Sequence, residues 1–98
     1  MLVSVTQHAY DRAKERLRWR PEVLDKMAEK AFVDGVEHKD TKGSLNRYIT
    51  KLWLEYRRAN NIRIYGENIY LFCGNALVTV FQLPNNMRKR AKKSKHKQ

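Results

Sequence analysis

With 98 residues, 42% of them hydrophobic, the chain has material for one small domain with one core and not for two. Its formal net charge of +11 points to a polyanionic partner, although charge of this size also serves solubility alone. One cysteine, Cys73, excludes an internal disulfide and a multi-thiolate zinc centre, and no apolar run approaches the roughly 18 residues that span a bilayer. The first residues lack the long apolar segment of a signal peptide, so the expectation is a cytoplasmic protein without cofactor or membrane association.

Chain order begins with "VSVTQHAYDRAKERLRWRP". Val3 to Val5 suit a short edge strand, and Thr6 or Ser4 is available to cap a helix whose apolar stripe is Ala9, Tyr10, Ala13 and Leu17. His8, Arg12 and Arg16 then recur at successive turns and flank that stripe together with Trp19, so they border the core. Pro21 suits the first position of a second helix, in which Val23, Leu24, Met27, Ala28 and Ala31 keep helical spacing until Gly35 stops it. "EHKDTKGS" reads as a polar connector. A third helix follows from Ser44 to Ala59, with Leu45, Ile49, Leu52, Trp53 and Tyr56 on one side and Arg47, Lys51 and Arg58 on the other.

Beyond Asn60 and Asn61 the pattern changes. "IRIY", "NIYLFC" and "ALVTVFQL" are rich in β-branched and aromatic residues and are separated by the tight-turn pairs Gly66-Glu67 and Gly74-Asn75, which predicts an antiparallel meander. Plain alternation puts Leu77, Thr79 and Phe81 on one face and Val78 and Val80 on the other, before Pro84 ends the strand. The expected architecture is α+β: about three N-terminal helices packed on a C-terminal antiparallel sheet of three to four strands, within residues 1–86. Residues 87–98 read as a basic, disordered tail, with Arg88, Lys89, Arg90, Lys92 and Lys93 placed to attract nucleic acid.

The residues themselves suggest phosphate chemistry. A helix start offers free backbone N–H groups to an anion, and arginine offers paired donors shaped for phosphate oxygens. The positive end of a helix also favours the neutral form of a histidine, the form that accepts a proton. Lys51 adds positive charge, and Tyr65 and Tyr70 are the preferred pair for stacking bases. A Gly-rich phosphate loop, a Ser/His/Asp signature and a His/Asp/Glu cluster with metal spacing are all missing from the sequence, so no metal site is expected.

"TQHAYDRAKERL", followed by "KGSLNRYITKLWLEYRRANNIRIYGENIYLFCGNALVTVFQLP", resembles a family of small phage and prophage proteins of low-GC Gram-positive bacteria. Their plan, a His-Ala-x-x-Arg helix followed by a sheet ending in a "TV" strand, is similar to the Barnase–EndoU–Colicin–RelE superfamily of metal-independent ribonucleases and toxins. The resemblance covers nearly the whole chain short of the basic tail. It implies a RelE-like fold, RNA as partner and endoribonuclease activity of toxin type, with His8, Arg12 and Thr79 carried over as catalytic residues.

In that scheme His8 takes the 2′-hydroxyl proton, Arg12 and Arg16 hold the phosphate and its transition state, and Thr79 hydrogen-bonds the phosphate. Arg16 joins on geometry. The chain departs from a two-histidine mechanism, because His38 falls in a connector and His96 in the tail. Two other readings stand beside this one: a non-catalytic nucleic-acid-binding module, and a phage inhibitor that binds a host protein complex. A protein partner, antitoxin or host complex, accompanies either toxin or inhibitor.

Overall fold

The structure, a computed structural model, describes residues 2–88. In chain order the elements are β1 (Ser4–Val5), α1 (Gln7–Leu17), α2 (Pro21–Asp34), β2 (Val36–Glu37), a 3-10 turn (His38–Asp40), α3 (Gly43–Glu55), β3 (Asn61–Tyr65), β4 (Asn68–Cys73) and β5 (Ala76–Gln82). A helical turn over residues 85–88 follows. The α+β class is as expected, but the sheet has five strands in the order β1-β5-β4-β3-β2 and is mixed, because β1 runs parallel to β5. The edge strand suggested at Val3 to Val5 precedes the helices as β1, and β2 lies between α2 and α3, where a plain helices-then-sheet order was expected.

Local chemistry explains most boundaries. Thr6 caps α1, its side chain accepting from the Ala9 N–H at 3.1 Å, while its hydroxyl donates to the Leu77 carbonyl at 2.9 Å. The Thr6 N–H also reaches the Leu77 carbonyl, at 3.1 Å, so one residue closes β1, starts α1 and fastens both to β5. Arg18 ends α1 in the left-handed region, φ 57°, with its N–H folded back on the Lys14 carbonyl. Pro21 opens α2 as its first residue.

Gly35 ends α2 for a reason of space. Its φ of −67° suits any residue, yet a Cβ there would strike the Ala31 carbonyl and lie 2.9 Å from Arg63 Cβ. Only a bare Cα lets β2 leave the helix so close to β3. Gly66 and Gly74, at φ +63° and +62°, instead supply the left-handed first position of the two tight hairpin turns.

Helix α3 stops at Glu55, four residues before the expected Ala59. Ala59 is buried, and its N–H bonds the Tyr56 carbonyl at 2.9 Å, so the chain turns here to deliver Ala59 to the core and start β3 at Asn61.

The helices cover both faces of the sheet. Helices α1 and α2 bury Ala9, Ala13, Leu24, Ala28 and Ala31 against Tyr70, Phe72, Leu77 and Val80. On the opposite face α3 buries Leu45, Ile49 and Leu52 against Ile62, Ile64, Ile69 and Leu71. Each fully buried Leu or Ile contributes about 1.5–3 kcal/mol, and most of them lie on the α3 side, whereas the α1/α2 side packs small alanines against Tyr70 and Phe72.

A bulge in β5 overturns the simple alternation. Leu71 pairs with Thr79 but Phe72 pairs with Leu77, leaving Val78 as the extra residue. Leu77 and Val80 consequently share the α1/α2 face, while Thr79 and Phe81 face the α3 side with Leu71.

Candidate nucleic-acid interface

Helix α3 leaves uncovered the part of its face nearest the β4–β5 turn, where Cys73, Ala76 and Val78 form the floor of an open recess of about 630 Å³. Thr6 and His8 wall it on one side. Arg58, from the turn between α3 and β3, walls it on the other.

Anchored at Leu77 by Thr6, α1 runs along the edge of β5 that the two-residue β1 leaves unpaired. His8 therefore borders Val78, and Arg16, two turns on, reaches the same edge further along. There its Nη1 donates to the Val80 carbonyl at 3.0 Å and to Thr79 Oγ1 at 3.3 Å, and its guanidinium carbon lies 4.2 Å from the centre of the Phe81 ring. Tyr56 packs on the same ring, centroids 5.4 Å apart. Arg16 is thus held from several sides by one nitrogen and its flat face. Among the described residues no acceptor engages its Nε or other Nη, the donors with which a guanidinium grips phosphate.

Arg12 sits between His8 and Glu15. Its Nε donates to His8 Nε2 at 3.4 Å and its Nη1 pairs with Glu15 at 2.8 Å. In the first bond His8 Nε2 is the acceptor. The second is a surface pair worth at most about 1 kcal/mol, easily exchanged for a phosphate.

The structure thus brings His8, Arg12, Arg16 and Thr79 to one edge, with Thr79 in a changed role. Thr79 is 1% exposed and its hydroxyl accepts from Arg16, so it positions that arginine and cannot itself touch a phosphate.

The expected stacking pair does not belong here. Tyr70 is enclosed in the α1/α2-side core, and Tyr65 packs partly buried against that same core, so both point to the face opposite the recess. Lys51 is exposed on α3. Arg88 donates to the Leu83 carbonyl at 3.0 Å and pairs with Glu67 at 3.9 Å, which ties it to the β3–β4 turn at the far end of the sheet. Met87 packs against the α3-side core, so the folded region extends beyond residue 86. Lys89, Arg90, Lys92 and Lys93 lie outside the described residues.

His38 stands in a separate depression, its Nε2 2.8 Å from Thr50 Oγ1. It belongs to the folded body but not to the recess.

Arg58 and Cys73 were not singled out as site residues from the sequence. The helix pattern placed Arg58 on a solvated face, and only the early end of α3 turns it toward the recess; the predicted hairpin already put Cys73 at a strand end. Among the described residues no helix is long and apolar enough to cross a membrane, and no group of three or more His, Cys, Asp or Glu side chains is arranged to hold a metal ion. No family model matches the chain, and no curated protein or solved structure matches it.

Proposed function

We propose that the recess binds RNA and cleaves it without a metal ion, as an endoribonuclease of toxin type. The observation that carries the reading is that His8 and Arg58 line one recess of uncovered sheet, with Arg12 hydrogen-bonded to His8 and Arg16 held further along the same strand at Val80. One guanidinium in the recess and two more along the helix that carries His8 favour a phosphodiester, and the helix start beside His8 adds backbone N–H groups of the same polarity. The likeness of the His-Ala-x-x-Arg helix and the "TV" strand to ribonuclease toxins, and to a phage protein family, supports the same reading.

Cleavage needs a proton acceptor at the 2′-hydroxyl and fixed positive charge on the pentavalent phosphorus. When Arg12 exchanges His8 for a phosphate oxygen, the Nε2 lone pair becomes free to take the 2′-hydroxyl proton. The 2′-oxygen then attacks phosphorus and the 5′-oxygen leaves, taking a proton from water. Arg16, already immobilised by Val80, Thr79 and Phe81, offers its remaining donors to the developing charge without first losing side-chain freedom. The products are a 2′,3′-cyclic phosphate and a 5′-hydroxyl.

One observation favours a second reading, a binding module that does not cut. His38 is held elsewhere by Thr50, so among the described residues the recess has one histidine and no second imidazole to protonate the leaving group.

Incubating the chain and its His8→Ala variant with total RNA in EDTA, with the cut ends mapped, separates the two. Cyclic-phosphate ends from the wild type alone, with the variant folded and at least about 100-fold slower, are expected. RNA retained by both chains without cleavage would assign the recess to binding only. Indifference to RNA would remove both readings and leave a protein-directed inhibitor.

A further inference from the structure

Helix α3 carries the largest exposed aromatic surface of the described residues. Trp53 is 48% exposed and Leu54 59%, and with Arg57 they line a shallow depression of about 270 Å³. Trp53 is not spare core, since Leu45, Ile49 and Leu52 already fill the buried stripe of the helix. Beside it stands exposed Arg57, followed in the chain by exposed Arg58, and among the described residues no ion pair engages either cation.

The turn after α3 connects this patch to the recess. Arg57 faces Trp53 while its neighbour Arg58 lines the recess with His8, so adjacent residues hold the two places together. We propose that Trp53 is the stacking platform for an unpaired base of single-stranded RNA, the strand running from the recess past Arg58 and Arg57 onto its ring. This rests on the recess being an RNA site.

Sequence-tolerant binders of single strands combine a cationic track with aromatic faces, and a base has a π-face whatever its identity. Duplex RNA keeps its bases stacked on one another and has none to offer Trp53. A protein partner is a poorer fit, because two apolar side chains fall far short of the roughly 800 Å² per side that a stable interface buries.

The test compares binding of a short oligouridylate and of a duplex RNA of equal length, for the wild-type chain and for Trp53→Ala and Trp53→Phe. Trp53→Ala is expected to weaken the single strand about 10-fold or more and to leave the duplex unchanged, with Trp53→Phe retaining most of the affinity. In a Trp19→Phe background, Trp53 is the one remaining indole of the two in the sequence, and the single strand should quench its emission.

Wild-type affinity in Trp53→Ala, where Arg16→Ala and Arg58→Ala bind less tightly, would overturn the platform and leave the recess standing. A protein held through Trp53 with RNA binding unaffected would give the surface to that protein instead. Absence of RNA binding by the wild-type chain would overturn the recess reading and this one with it.

Discussion

Tyr70 sits fully enclosed in the middle of β4, and among the described residues neither its hydroxyl nor the buried Asn68 Oδ1 makes a hydrogen bond of ordinary geometry. Burial pushes this phenol far above its ordinary 10.0, against a smaller opposing influence of the Asn68 side chain. The folded chain keeps a proton that the unfolded chain releases. Stability from this group is therefore complete below about pH 10 and is lost as pH climbs toward the folded-state value. Tyr70→Phe should unfold in urea at neutral pH with stability unchanged or raised by about 1 kcal/mol, and should lose less than the wild type between pH 9 and about 10.5. A loss of more than about 1 kcal/mol at neutral pH would show that the hydroxyl is bonded after all. At this scale the sequence was legible where spacing alone decides, as in the His8, Arg12, Arg16 stripe. It was silent where two distant segments meet: nothing near Gly35 reveals the Arg63 Cβ that a side chain would strike, and nothing near Tyr70 reveals that a bulge keeps Val80 beside it.

The β1–α1 unit does more than its size suggests, because two strand residues and one threonine fix where the whole cationic stripe lies. Thr6 caps the helix through its side chain while that same hydroxyl and its own N–H hold the Leu77 carbonyl. Thr6→Ala removes both side-chain bonds and should cost about 1–2 kcal/mol by denaturant unfolding, with faster hydrogen exchange in the first turn of α1 than in α2. Thr6→Ser, which keeps both bonds, should recover most of the loss; equal destabilisation by Ser would mean that the methyl packing matters and the hydroxyl does not. Elements with a long periodic pattern, α1, α2 and the three-strand meander, were readable, as was the edge strand at Val3 to Val5. The two-residue β2 was not, since its place is set by Ile64 and Arg63 nearly thirty positions away and not by any pattern of its own. The end of α3 was misread for a related reason: "YRRAN" is acceptable helix sequence, and the burial of Ala59 overrides it.

Charge acts on the molecule as a whole, and here it divides into a built part and an appended part. Arg58 lines a formed recess and Arg12 and Arg16 are fixed along the helix that brings His8 to it, whereas six Lys or Arg of residues 89–98 follow in nearly unbroken succession. Both attract a polyanion, but a fixed guanidinium selects a position on the strand while a run of like charge raises affinity wherever the strand lies. For single strands each neutralised phosphate contributes about 0.7 to the slope of log affinity against log salt. Ending the chain at residue 88 should therefore lower RNA affinity most at low salt and flatten that slope, while Arg58→Ala should reduce it by only about 0.7. On the proposed function the pattern of cut ends should be the same for the shortened and full chains, because that proposal assigns the choice of phosphate to His8 and Arg16 and not to the tail. A shortened chain that cuts at different positions would place part of the selecting site beyond residue 88. A shortened chain with an undiminished salt slope would show that those six charges never meet the phosphates, and that the recess with its α3 flank supplies the electrostatic attraction by itself.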